Sequence, residues 1–302
     1  MNRILLHNIA LATALLSNSC ITRRATDFLT IPNRAVDGAH WEKEAGVHPQ
    51  RFTVVASDGI QLSCLILEAN PAVKKRGTAY LFHGLGNSKE QMLPTARRLS
   101  DAGFRCVAWD SRGHGKSGGV RISYGIREVD DARRVIAEGR KRDHGRRGTE
   151  VIWAYSMGTA VALQTLPYLP EVKAAVLLAP IADLGGVIRY QASANYHGSL
   201  TPLLPLVRAD IRSTAGFDPN QVRPVDALRL TKCKLLLVHG GQDRVIPPSQ
   251  SQKLLDASAP GQSRRVLIPG FLHHQVMWEL PEKTQAEAVQ FLVDESKPRW
   301  LR

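Results

Sequence analysis

Apolar runs at Thr78–His83, Arg105–Asp110, Glu150–Tyr155, Lys173–Pro180, Lys234–Gly240 and Arg264–Gly270 alternate with helical patterns at Lys89–Ala102, Ile126–Arg142, Met157–Leu169 and Ser249–Ser258. A strand half exposed to water alternates apolar and polar residues, whereas these runs are apolar almost throughout, as strands covered on both faces are. The chain therefore reads as α/β, with a mainly parallel sheet and helices on both faces. In such sheets ligands and reactive groups gather at the carboxyl ends of the strands.

Two stretches depart from this rhythm. Arg51–Ala56 and Ile60–Glu68 are β-rich and separated by Ser57-Asp58-Gly59, which predicts a hairpin ahead of the repeats. Between Pro180 and Lys234 lie about 50 residues carrying Gly185-Gly186, Pro202, Pro205, Pro219 and Pro224, too long for a plain crossover. A small helical cap over about 184–225 is expected there. Its apolar residues Leu200, Leu203, Leu204, Leu206 and Val207 either pack a helix on the domain or line a substrate pocket.

The ends of the argument are set by composition. Lys plus Arg number 40 against 27 Asp plus Glu, a formal charge of +13. The cations are scattered in short groups such as Arg23-Arg24, Lys74-Lys75-Arg76 and Arg140-Lys141-Arg142, and aromatic residues are only 6%, so the stripe of cations and stacking rings that binds nucleic acid is missing. The excess reads as a solvated basic surface.

Residues 1–20 hold Arg3, an apolar run from Ile4 to Leu16, and Ser17-Asn18-Ser19-Cys20. That run is shorter than the roughly 20 residues of a transmembrane helix and reads as an export signal. Residues 21–50 are polar and without sustained period, and read as a tether or irregular lead-in to a domain spanning 51–302. Cys64, Cys106 and Cys233 each lie in or beside an apolar run and read as small buried hydrophobes, with no spacing suited to a zinc site.

The strongest chemical signal is Val151-Ile152-Trp153-Ala154-Tyr155-Ser156-Met157-Gly158, a strand that ends in a serine flanked by small residues and passes at once into a helix. A turn that sharp presses its neighbours against backbone, so Ala154 and Gly158 must be small. A serine alone could equally cap a helix. Gly115-Lys116-Ser117 is not a phosphate loop, because Asp110 stands where that motif needs glycine. No cofactor or metal is implied.

Four further strand ends carry reactive groups: His83-Gly84-Leu85-Gly86, Asp110-Ser111-Arg112-Gly113-His114-Gly115-Lys116-Ser117, His239-Gly240-Gly241-Gln242-Asp243, and Pro269-Gly270-Phe271-Leu272-His273-His274. With the serine turn, and in this order, they resemble the α/β-hydrolase family over about residues 52–293. The resemblance implies a serine hydrolase, most simply of carboxylic esters through an acyl-enzyme; thioesterase, lipase-like and peptidase activities share its machinery, and catalytically silent binding members exist. It makes Ser156 the nucleophile, Asp243 the acid and His273 the base, with His274 as the alternative base and Asp183 as a fallback acid. The backbone N–H groups of Leu85 and Met157 would form the oxyanion hole. His83, Asp110, Arg112 and His114 would be structural. The chemistry is consistent: a serine hydroxyl needs an imidazole to take its proton, and a carboxylate to orient that imidazole. The partner expected is a small-molecule ester, and nothing sets an oligomeric state.

The N-terminal segment in turn resembles a bacterial lipoprotein signal, in which Cys20 would be lipidated, although Ser17 stands where that signal has leucine and Leu16 lies one residue further back. An ordinary cleaved or retained signal and a frayed cytoplasmic terminus remain the other readings. The first two place the protein in the cell envelope, with peripheral membrane attachment through Cys20 in the lipidated case.

Overall fold

The computed structural model describes residues 20–34, 38–143, 148–194 and 201–297. The expected export signal, residues 1–20, lies outside the described residues except for Cys20.

The sheet has eight strands in the order β1-β2-β4-β3-β5-β6-β7-β8. β1 (Gln50–Val55) and β2 (Gln61–Leu67) form the hairpin, closed by Gly59 N–H donating to Ala56 O at 3.0 Å. β2 also runs antiparallel to β4 (Phe104–Trp109), and every later pairing is parallel, through β3 (Gly77–Phe82), β5 (Thr149–Tyr155), β6 (Val172–Leu178), β7 (Lys234–Gly240) and β8 (Ser263–Ile268). Five of the continuous apolar runs are thus inner strands and the sixth, Arg264–Gly270, is the half-exposed edge strand β8; each falls within two residues of its expected bounds.

Period-two alternation sends side chains to two cores. Tyr80, Phe82, Ile152 and Leu235 pack beneath α4 (Glu128–Lys141), α5 (Met157–Thr165) and α8 (Ser249–Ala257); Leu81, Trp153, Leu236 and Val238 pack beneath α2 (Gly38–Ala45), α3 (Leu93–Asp101) and α10 (Glu282–Glu295). A third cluster sits over the strand ends. There Met157, Ala160 and Ile246 meet Leu184 and Val187 of α6 (Leu184–Ala194) and Val207 and Ile211 of α7 (Leu204–Ala215).

The stretch 21–50 is not an irregular lead-in. Residues 20–30 form a helix, α1, with Thr22, Thr26 and Thr30 buried and Ala25 and Leu29 against the third cluster. Arg121 Nη2 binds Asp27 Oδ1 at 2.6 Å, and Tyr124 Oη donates to Leu29 O at 2.8 Å. Helix α2 adds Trp41, stacked on Trp278 of the short α9 (Gln275–Trp278) with ring centroids 5.2 Å apart. The segment was hard to read because three threonines share the inward face of α1 with Ala25 and Leu29 while Phe28 is turned outward.

Beneath the strand ends the loops after β3 and β4 are locked by buried charge. Asp110 accepts from Lys89 Nζ at 2.6 Å, Lys89 N–H at 2.9 Å and Lys116 N–H at 2.8 Å, and Lys89 also meets Glu90 at 2.8 Å. Arg112 forks onto Asp131 with bonds of 2.7 and 2.8 Å. His83 accepts the Ser111 N–H at 2.9 Å and gives its Nδ1 proton to Gly84 O at 2.8 Å, which fixes a neutral tautomer. Its ring lies edge-on to His114, 4.7 Å away.

Burial holds both imidazoles far below their ordinary range, His83 at about 4 and His114 at about 3. A folded-state pKa below the unfolded value means the unfolded chain takes up these protons first. Stability is therefore full above pH ~6.5 and is lost as the pH falls toward 4. At pH 4.5 each imidazole is expected to cost on the order of 2 kcal/mol, read as a fall in urea midpoint from pH 7. His114→Phe should lose less than the wild type over the same interval; an equal loss would remove the buried imidazole as the cause.

Candidate active site

Ser156 is the last residue before α5 and has φ 52 and ψ −122, a conformation that a side chain bearing Cβ pays strain to adopt. The turn is held by Ser156 N–H donating to Leu178 O at 2.9 Å and by Thr159 Oγ1 donating to Ser156 O at 2.6 Å. It brings α5 hard against β3: a Cβ on Gly158 would stand 2.5 Å from Phe82 O and 2.6 Å from His83 O. No side chain fits there, which is why the helix starts Met-Gly.

The turn points Ser156 Oγ at His273, with 2.9 Å between Oγ and Nε2. On the other side of that ring, Nδ1 lies 2.7 Å from Asp243 Oδ2. Nδ1 must carry the proton, since a carboxylate only accepts, so Nε2 is free to accept from the serine. Tyr155 lies tilted against the imidazole at 5.2 Å and donates its hydroxyl to His273 O at 3.2 Å. The neighbouring His274 is exposed, with Nε2 4.0 Å from Glu279, and does not face the serine.

Asp243 is fully buried, and its second oxygen accepts the N–H groups of Val245 and Ile246, both at 2.8 Å. Burial alone would raise its pKa. Bonds from His239 and His273, the positive field of His273 and the Ile246 N–H outweigh that and hold it at about 2, so the carboxylate stays charged. His239 is a member of the site that the sequence reading passed over. It is fully buried, donates Nε2–H to Ile246 O at 2.9 Å, and stands 3.4 Å from Asp243 Oδ2. Its place as the next-to-last residue of the strand that feeds the acid loop was the available signal.

Leu85 is half-buried on the loop after β3, and Met157 opens α5, where first-turn N–H groups have no partner within the helix. Asp183 is engaged elsewhere: it caps α6 through Gly186 N–H at 2.5 Å and binds Lys253 Nζ at 2.9 Å. Cys64, Cys106 and Cys233 are buried free thiols, and burial pushes Cys64 up to about 12 and the other two higher, so none is a nucleophile at neutral pH. Cys20 is exposed. An apolar cavity of about 200 Å³ between α6 and α7 is lined by Ile188, Leu204, Val207 and Ile211, and its lining includes none of Ser156, Asp243 and His273. Among the described residues, no cluster of His, Cys, Asp and Glu is arranged to hold a metal.

The strained turn makes a stability prediction. Glycine ordinarily destabilises relative to alanine, but at φ 52 only alanine keeps the clashing Cβ. Ser156→Gly should therefore unfold in urea with about 1 kcal/mol more stability than Ser156→Ala. The reverse order would mean that the turn is unstrained.

Residues 73–224 match the model of the Hydrolase_4 family, described as serine aminopeptidase, S33. The match spans the loop after β3 and Ser156 and stops short of Asp243 and His273. A monoacylglycerol lipase of Mycolicibacterium smegmatis is 29% identical over 247 residues, covering 70% of this chain and 86% of its own. An uncharacterized protein of Bacillus subtilis is 25% identical over 219 residues, covering 72% and 71%. Among solved structures, an esterase of Pyrococcus furiosus superposes with a TM-score of 0.69 at 19% identity over 89% of this chain and 99% of that one. A serine hydrolase of Xanthomonas campestris, described as lacking a lid, gives 0.58 at 22% identity over 83% and 96%. With its eight-stranded, mostly parallel sheet, its serine turn and these likenesses, the chain belongs to the Hydrolase_4 family of serine hydrolases on the α/β-hydrolase fold.

Proposed function

We propose that the protein hydrolyses carboxylic esters through an acyl-enzyme on Ser156, with His273 as general base and Asp243 as its orienting carboxylate. The observation that carries this reading is the relay of 2.9 Å from Ser156 Oγ to His273 Nε2 and 2.7 Å from His273 Nδ1 to Asp243. His273 takes the hydroxyl proton as Oγ attacks the ester carbon. The negative charge then moves to the carbonyl oxygen, where the N–H groups of Leu85 and Met157 would receive it, aided by the positive end of α5. His273 returns the proton to the leaving alkoxide. A water, deprotonated by the same imidazole, then cleaves the acyl-serine and restores the free serine.

Esters are favoured over peptides by the relatives' names, a monoacylglycerol lipase and an esterase, while the family description keeps an aminopeptidase reading as the second. The apolar cavity between α6 and α7 offers room for part of an acyl chain.

Ser156→Ala is expected to lower turnover of a short-chain p-nitrophenyl ester by on the order of 10³ or more, and His273→Ala similarly. His274→Ala should stay within a few-fold of wild type. Equal, mild losses from the two histidine variants would overturn the assignment of the base. Faster turnover of an aminoacyl p-nitroanilide than of the ester would favour the aminopeptidase reading.

A further inference from the structure

Helix α1 leaves large apolar side chains outside. Its inner face sets Thr22, Thr26 and Thr30, one turn apart, beside the half-buried Ala25 and Leu29, with Thr30 Oγ1 donating to Thr26 O at 2.7 Å and accepting from Arg121 Nη1 at 2.5 Å. The opposite face carries Ile21, Phe28 and Ile31, exposed to 41%, 73% and 38%, with Arg24 among them and Cys20 at its start. A helix that meets only water gains nothing from this arrangement, since each large apolar side chain left outside forgoes about 2 kcal/mol of burial. Arg23 lies 3.7 Å from Asp210, which sets α7 beside α1, and one turn earlier on α7 Leu206 is 48% exposed.

Two more observations say what this face meets. Arg24 is exposed on this face; Arg23 and Arg34 are also exposed, with Arg23 3.5 Å from Asp27 and 3.7 Å from Asp210 and Arg34 donating to Ser117 O at 3.0 Å, while Asp27, the acidic residue of α1, is bound to Arg121. A second copy docking face to face would bring arginines against arginines. Residues 1–19, which precede the helix in sequence, carry the apolar run Ile4–Leu16. Among the described residues no helix is long and apolar enough to cross a membrane.

We propose that the outer face of α1, extended by Leu206, docks on an anionic lipid bilayer. The helix lies at the carboxyl end of the sheet, packed on the cluster that contains Met157, so docking turns the serine's end of the molecule toward the lipid. Apolar side chains enter the headgroup boundary and the arginines pair with lipid phosphates, the combination that holds interfacial helices.

The test is co-sedimentation of the full chain with phosphatidylcholine vesicles, with and without phosphatidylglycerol. Phe28→Glu should lower partition onto the anionic vesicles at least about tenfold. Leu230→Glu, which changes an equally exposed leucine away from α1, should leave it unchanged. Both variants should keep the wild-type far-ultraviolet circular dichroism and urea midpoint. Equal partition of wild type and Phe28→Glu would overturn the proposal, as would equal binding to vesicles lacking phosphatidylglycerol. A concentration-dependent dimer abolished by Phe28→Glu, with partition unchanged, would assign the face to a second copy instead.

Discussion

The backbone at Ser156 is where strand, helix and chemistry are reconciled. To leave β5 and enter α5 within one residue, the chain takes a positive φ at a residue that has a Cβ. That strain is sustained by groups which have no part in the reaction: the Leu178 carbonyl, Thr159, and the closeness of Gly158 to the carbonyls of Phe82 and His83. The consequence is an Oγ that stands clear of its own helix and within reach of an imidazole delivered from beyond β8. A relaxed turn would point the same hydroxyl into the helix as a cap. The strain and the placement of the hydroxyl within reach of His273 are in this sense one property.

Around this turn the protein separates charges that must persist from groups that must stay neutral. Asp243 is kept ionised in a dry site because His239, His273 and two backbone N–H groups replace the water it has lost. His83 and His114 are kept neutral by the same dryness, which at His114 outweighs the nearby carboxylates of Asp110 and Glu128. Lys89 and Asp110 neutralise each other with both fully buried, and in doing so join the loop after β3, which carries Leu85, to the loop after β4. Buried pairs of this kind are weak sources of net stability, but removing one member leaves a charge that the interior cannot solvate. The loop beside the serine is thus fixed by electrostatic necessity.

How much of this the sequence discloses depends on whether a structural demand leaves a compositional trace. The inner strands are legible because being covered on both faces forces apolar runs. The serine turn is legible because crowding forces Gly158 to be small. Asp243 and His273 are legible through the family pattern, whose spacing after Pro269-Gly270 favours His273 over the alternative His274; the path of the loop after β8 brings His273 to the serine and leaves His274 exposed. His239 was legible only as a polar residue near the end of an apolar strand, since its role rests on the acid loop folding back so that Ile246 O reaches the ring. Helix α1 was concealed because three threonines share its inward face with Ala25 and Leu29 while Ile21 and Phe28 face out.

The account stands on an activated serine at position 156. Treatment of the folded protein with a fluorophosphonate probe, followed by proteolysis and mass spectrometry, reads that activation without knowledge of the substrate. One adduct is predicted, on the peptide containing Ser156, absent when the protein is first unfolded in urea. A folded protein that takes up no probe, or takes it up at another serine, would contradict the assignment.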